Sequence, residues 1–162
     1  MTVAVCPVRP DSRGTIMATS PDPFARPRIQ PNYLSAPSDQ TVLGAGIRLT
    51  RNIFAAPALA QHSVLETLPG AHVQSDADLL DYCRNYGNTL YHPVGTCRMG
   101  PLEGPHANPL NVVDSELMVH GLQGLRVVDA SIMPRIVAGN TNAPVIMIAE
   151  KAADMIKMVQ QP

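Results

Sequence analysis

The chain has 162 residues, of which 45% are hydrophobic and 15% charged, with a formal net charge of −1 at pH 7. A chain of this length can bury a core of its own. The balanced charge argues against a nucleic-acid-binding surface, which needs a basic excess, and against an acidic disordered tail. No run reaches the roughly 18 apolar residues of a membrane helix, so no transmembrane segment is expected.

Cysteine and histidine spacing gives no sign of a metal site. The three cysteines, Cys6, Cys83 and Cys97, form no C-x-x-C pair, and the odd number does not suggest a disulfide framework. The histidines show no metal-ligand spacing. Residues 1–7 lack the basic region and apolar core of a signal peptide. The expected location is the cytoplasm, with peripheral attachment to the inner membrane as an alternative.

The N-terminal region is rich in proline and predicts short elements. Residues 2–5 and 14–19 are typical of two short strands, and residues 10–14 supply turn chemistry between them, so an antiparallel hairpin is expected. Four prolines between positions 21 and 31 then favour an extended run that can serve as an edge strand or a loop.

Two helices are predicted before residue 90. Ser38 is a suitable N-cap for a helix that runs to about residue 55, with Pro57 ending the pattern. Arg48 and Arg51 lie off its apolar face and are expected to be solvated. That face is formed by residues at helical spacing, namely Leu43, Ile47, Thr50 and Phe54.

The second helix is expected to begin after Ser75, because Ser75 and Asp78 have the spacing of a capping box. Gly87 is its expected end. Tyr82 and Tyr86 share a face with Leu79 and Cys83, a pattern that favours core packing over lining a substrate pocket.

The next segment, residues 91–100, reads Tyr-His-Pro-Val-Gly-Thr-Cys-Arg-Met-Gly and resembles an active-site loop. Pro93 biases His92 toward an extended backbone, and Gly95 and Gly100 permit turns. A histidine side chain can take a proton and return it near neutral pH, which suits a catalytic base.

The C-terminal region predicts strands followed by a long helix. Residues 112–113 and 125–129 are strand candidates, and the carboxylate of Asp129 should find backbone N–H partners or a ligand hydroxyl. A helix should begin near Asn142, with Pro144 in its first turn. Met147, Met155 and Met158 are interpreted as core filler. Its apolar stripe comprises Val145, Ile148, Ala149, Ala152, Met155, Ile156 and Val159.

Several segments together resemble the C-terminal part of the glucose-methanol-choline (GMC) family of flavin-dependent oxidoreductases, closest to its choline and alcohol dehydrogenases. They are the loop at residues 91–100, the Gly-Leu-Arg-Val-Val-Asp-Ala-Ser-Ile-Met-Pro run at 124–134, and Gly-Asn-Thr-Asn-Ala-Pro at 139–144. Residues 5–15, 27–34 and 149–156 extend the likeness in the family's order. It therefore covers nearly the whole chain.

The resemblance implies a role for individual residues. The histidine of the Tyr-His-Pro-x-Gly-Thr loop is the family's catalytic base, which corresponds to His92. A His or Asn before the last helix binds the substrate oxygen, which is assigned to Asn142, with Asn140 ranked second. The implied flavin contacts are Asp129, Ala130, Asn142, Ala143 and Pro144, and the implied substrate contacts are Tyr91, His92 and Asn142.

One departure from the family pattern concerns the cofactor. Family members carry a G-x-G-x-x-G turn that lets the backbone approach the pyrophosphate of FAD. Here Gly44-Ala45-Gly46 lacks the third glycine. The chain is therefore expected to lack most of the FAD-binding half, which would be supplied upstream in cis or by another polypeptide in trans.

The expected fold class is α+β. Residues 1–100 would form an antiparallel-sheet substrate-binding region packed with helices, ending in the His loop. Residues 101–162 would supply a strand and a helix that complete the FAD domain. The expected function is oxidation of a small-molecule alcohol by proton transfer to His92 and hydride transfer to flavin, with the isolated chain inactive. The alternatives are a truncated non-catalytic remnant and a stand-alone binding module.

Overall fold

The computed structural model describes residues 2–62 and 65–159. The chain divides into two compact units, Met1–Thr89 and Leu90–Pro162. This boundary lies before the predicted one at residue 100, so the loop that carries His92 belongs to the second unit. The predicted division of labour between a substrate-binding region and a flavin-completing region stays a prediction.

The first unit begins with a two-stranded antiparallel sheet. Strand β1, Thr15–Met17, pairs with β2, Arg28–Gln30, with Ile16 opposite Ile29. The predicted strand at residues 14–19 is thus present, but the predicted partner at residues 2–5 is wrong. The backbone N–H groups of residues 11 and 12 are bound by the side chain of Asp39, which ties the entry to β1 to the following helix instead of to residues 2–5.

Helix α1 spans Pro37–Ala55, and a short helix α2, Pro57–Ala60, follows it. The predicted cap at Ser38 is wrong, because Ala36 is the N-cap and Pro37 occupies the first turn, where its missing N–H costs little. The Ser38 hydroxyl instead donates a hydrogen bond to the carboxylate of Asp11, at 2.8 Å. The predicted apolar face is confirmed, since all four of its residues are half-buried.

Asp39, in the first turn of α1, is a carboxylate only 4% exposed. It accepts hydrogen bonds from the backbone N–H groups of Asp11 and Ser12, each at 2.8 Å, and from the Ser12 hydroxyl. Burial alone would raise its pKa, but these hydrogen bonds, helped by the charge of Arg13, hold the pKa of Asp39 below its ordinary value of 3.8. The ionised carboxylate therefore stabilises the folded first unit.

Replacing Asp39 by Asn is expected to lower the free energy of unfolding by about 2 kcal/mol, the usual worth of hydrogen bonds to a charged group. Because the folded-state pKa is depressed, this stability is complete above the unfolded-state pKa and is lost as pH falls through the folded-state pKa. Urea unfolding at pH 7 and at about pH 3 measures the difference, with the exposed Asp81→Asn as the control. An equal loss at both pH values would contradict the prediction.

Arg51 does not lie free in solvent, so that prediction is wrong. Its guanidinium forms a two-pronged ion pair with Glu66, with the shortest N–O distance at 2.8 Å, and also donates to the Gly70 carbonyl. The hydrogen bond from Arg51 lowers the pKa of Glu66. Arg48 pairs with Asp76 at 2.6 Å in a more exposed setting. Both arginines attach the segment after α2 to the side of α1.

Helix α3 spans Asp76–Tyr86 and confirms the predicted capping box at Ser75 and Asp78. Leu79 and Cys83 are buried as expected. The prediction that Tyr86 packs in the core is wrong, because this residue is 67% exposed. Its ring stacks on that of Tyr82, with centroids 5.1 Å apart, on the outer side of the helix.

The second unit has its own core, built from loops and one helix. The residues buried in it are Val113, Leu117, Ile132, Met133, Ile148 and Ala152. The predicted strands at 112–113 and 125–129 form only isolated bridges, Met99 with Val113, Val113 with Val119, and Met118 with Arg126. Between the bridging residues the chain makes a tight turn, in which the Asp114 carboxylate accepts from the N–H groups of Glu116 and Met118.

Helix α4 spans Asn142–Val159, as predicted, with Pro144 in its first turn. Ile148 and Ala152 are buried, and Val145 and Met155 pack against the core. Four other residues that were predicted to be in the apolar stripe or in the core are exposed, so the prediction is wrong for them: Ala149, Ile156, Met147 and Met158. The side chain of Val159 lies outside the described residues.

The α+β class is confirmed by the two-stranded sheet and the four α-helices of the described ranges. Among those residues no helix is both long and apolar enough to cross a membrane.

Candidate active site

The loop that carries His92 is fixed to the core of the second unit by its backbone. The N–H of Cys97 donates to the Ser131 carbonyl at 3.0 Å, and the N–H of Met99 donates to the Ile132 carbonyl at 2.8 Å. Gly95 has φ of +85°, and a Cβ at this position would lie 3.3 Å from the Met133 carbonyl oxygen. A glycine is therefore required where the loop passes over the segment at residues 131–133.

Tyr91, directly before His92, has φ of +60°, in the left-handed region that residues with a Cβ seldom adopt. Its side chain is 77% exposed. A strained backbone of this kind costs about 1 kcal/mol or more and is found preferentially at functional sites. The strain here immediately precedes the histidine.

His92 is half-buried and has an oxygen atom near each ring nitrogen. Asn140 places Oδ1 at 3.2 Å from Nε2, and Thr141 places Oγ1 at 3.2 Å from Nδ1. Thr141 is only 9% exposed, whereas Asn140 is exposed. A protonated imidazole ring donates from both nitrogens, so both N–H groups would meet an oxygen acceptor. The arrangement therefore suits a histidine that receives a proton.

Asn142, which the resemblance implied as the second catalytic residue, begins α4 and has an exposed side chain. The structure brings Asn140, the residue ranked second, to His92 instead. Thr141 was missed by the sequence analysis. Its signal was its position one residue before a helix that carries proline in its first turn.

Asp129 has the backbone partner that its sequence position predicted. It is the N-cap of a short 3-10 helix, Ala130–Ile132, and its Oδ1 accepts from the Ser131 N–H at 2.8 Å and from the Ser131 hydroxyl. Asp129 is exposed and Ala130 half-buried. The predicted role of these two residues in flavin binding stays a prediction.

The start of α4 could accept part of a planar, electron-rich group. Asn142 and Ala143 are exposed there, and the first N–H groups of an α-helix have no partner within it. Within the described ranges, no cluster of His, Cys, Asp or Glu could hold a metal ion.

Comparison with known proteins places these features in a family context. Residues 10–149 match the family model for GMC oxidoreductase. The chain is 51% identical over 155 residues to an alcohol dehydrogenase [acceptor] of Pseudomonas putida, covering 96% of this chain and 27% of that protein. It is 49% identical over 150 residues to an oxygen-dependent choline dehydrogenase of Stenotrophomonas maltophilia, covering 93% and 26%.

Solved structures give the same picture. Pyridoxine 4-oxidase from Mesorbium loti superposes with a TM-score of 0.83 at 36% identity, covering 93% of this chain and 28% of that one. A fungal aryl-alcohol oxidase superposes with a TM-score of 0.78 at 34% identity, covering 92% and 24%. The chain spans about a quarter of the length of the relatives it matches.

Proposed function

The chain belongs to the GMC oxidoreductase family, and we propose that it is the C-terminal substrate-binding part of an FAD-dependent alcohol dehydrogenase. The observation that carries the proposal is the placement of His92 between Asn140 and Thr141, on a loop that the backbone fixes to the core. The proposed substrate is a small-molecule alcohol. The proposed location is the cytoplasm, with peripheral attachment to the inner membrane as an alternative.

The proposed reaction removes two electrons and two hydrogens from a CH–OH group. The hydroxyl proton passes to Nε2 of His92, and the hydrogen on carbon leaves with its electron pair as a hydride. The chemistry that FAD supplies when bound is acceptance of that hydride. Loss of the proton is needed because hydride loss from a neutral alcohol would leave positive charge on carbon, whereas an alkoxide expels the hydride and becomes a carbonyl.

Asn140 is proposed to hold the substrate oxygen, with Asn142 as the rival for this role. The side chain of Asn140 lies at Nε2, the nitrogen that would take the proton, so one amide reaches both the base and the alcohol oxygen. Its Nδ2 can donate to the oxygen and its Oδ1 can accept from protonated Nε2. This geometry fixes the reacting hydroxyl group against the base.

The proposed cofactor contacts lie at two places in the second unit. At the start of α4, the backbone around Asn142, Ala143 and Pro144 presents the positive end of the helix dipole, which favours negative charge on a reduced flavin. The segment with Asp129 and Ala130 is the second proposed contact. Most of the FAD-binding half is expected from residues upstream in cis or from a partner in trans, and the isolated chain is expected to be inactive.

A chimaera tests the proposal. The C-terminal 27% of the P. putida relative would be replaced by this chain, and the product would be purified and checked for bound flavin. Mixing it with short-chain, aromatic and quaternary-ammonium alcohols without oxygen should bleach the flavin absorbance with at least one of them. A chimaera that holds flavin but is reduced by none of these alcohols would contradict the proposal and favour a non-catalytic remnant or binding module.

A further inference from the structure

We propose that Thr141 is a positioning residue for His92: its hydroxyl accepts a hydrogen bond from Nδ1–H and so leaves the lone pair of Nε2 for the substrate. The inference rests on the proposed function for its catalytic consequence. Its structural part, the control of which ring nitrogen carries the proton, stands on the geometry of the second unit alone.

Thr141 is the N-cap of α4, since its carbonyl accepts the first hydrogen bond of that helix, from the Val145 N–H at 3.1 Å. An N-cap threonine ordinarily uses its hydroxyl to accept from the backbone N–H two or three residues further on. Here the third residue is Pro144, which has no N–H. One of the two ordinary capping donors is therefore absent, and the hydroxyl lies 3.2 Å from Nδ1 of His92.

The burial of Thr141 favours a hydrogen bond between its hydroxyl and a partner within the protein. The residue is 9% exposed, so its hydroxyl has little access to water and should satisfy its hydrogen-bonding capacity within the protein. Among the described residues, the one side-chain hydrogen bond of Thr141 is to His92. Threonine is also stiff about its first side-chain torsion, which keeps the hydroxyl in one place.

In a neutral histidine ring, the hydrogen bond made by one nitrogen decides which of the two nitrogens carries the proton. With Nδ1–H donated to Thr141, the neutral ring carries its lone pair on Nε2, the nitrogen that faces Asn140. Oδ1 of Asn140 lies 3.2 Å from Nε2 and cannot bond to a lone pair, so the neutral tautomer requires the Asn140 amide to rotate by 180°, which presents Nδ2 to Nε2 or to a substrate oxygen. After proton transfer, Nδ1–H remains bound to Thr141, and once the amide has rotated back the new Nε2–H can donate to Oδ1 of Asn140.

The test is nitrogen NMR of the 162-residue chain carrying ¹⁵N-labelled histidine, with the His92 signals assigned by their loss in His92→Gln. In the unaltered chain at a pH where the ring is neutral, Nδ1 should carry the proton. Thr141→Ser should keep this tautomer because the hydroxyl remains. Thr141→Val, of nearly equal shape, should shift the ring toward the Nε2–H form. Thr41→Val in α1 is the matched control and should change nothing.

The proposal is overturned if the unaltered chain holds mainly the Nε2–H form, or if Thr141→Val leaves the ratio unchanged. In the chimaera, Thr141→Val should lower turnover about five- to tenfold, the factor that corresponds to one ordinary hydrogen bond, and Thr141→Ser should restore most of it. If Thr141→Val shifts the tautomer but His92→Ala leaves the turnover of the chimaera unchanged, the positioning role of Thr141 stands and the proposed function is rejected.

Discussion

Replacing His92 by Ala in the chimaera is expected to lower the rate of flavin reduction by an alcohol by about 10² to 10⁴, the usual worth of a general base. The reason is that an alcohol oxygen would lose the one group placed to take its proton. Asn140 and Thr141 accept or donate hydrogen bonds but cannot hold a proton near neutral pH. The measurement is stopped-flow reduction without oxygen at saturating alcohol.

The control for this result is His106→Ala, a matched change at an exposed loop position. It should leave the rate within about twofold, as surface substitutions do. The two variants should hold flavin equally, since His92 is assigned to the substrate. A loss below about fivefold for His92→Ala, well under the range for a general base, would remove it from that role.

The helices were predicted more accurately than the strands, for a physical reason. The start of α3 depends on Ser75 and Asp78, and the start of α4 on Pro144, all within one turn of the boundary that they set. The strand β1 pairs with residues 28–30, a separate segment further along the chain. The alternation of residues within β1 does not identify that partner.

Exposure was predicted less well than the elements themselves. Tyr86, Met147 and Met158 stand at core-like spacing, yet they are 67%, 59% and 62% exposed. Periodicity identifies the apolar side of a helix, but burial also needs a second surface to cover it.

The candidate site shows the same limit on a smaller scale. His92 could be found from its loop because proline and glycine shape the local backbone. Its partners lie 48 and 49 residues later in the chain, and two asparagines separated by one residue look equivalent in sequence. Which of them faces the ring depends on where α4 begins, because side chains before and after a helix start point in different directions.

Asn140→Ala is therefore expected to lower the rate of flavin reduction by about 10², the usual cost of removing one preorganised donor to a reacting oxygen. Asn142→Ala is the comparison variant, because Asn142 is the rival for the same role. This residue begins α4 with an exposed side chain, and its replacement should change the rate by only about twofold. The measurement is again anaerobic reduction at saturating alcohol, with flavin content checked for both variants.

The two substitutions separate the geometric assignment from the one implied by family resemblance. If Asn142→Ala costs the larger factor, the amide that binds the substrate oxygen belongs to the first residue of α4, and the contact between Asn140 and Nε2 of His92 does not mark the substrate position. If Asn140→Ala costs the larger factor, the same amide serves base and substrate. Asn140→Asp should then be no rescue, because a carboxylate cannot donate to the alcohol oxygen and would repel the developing alkoxide.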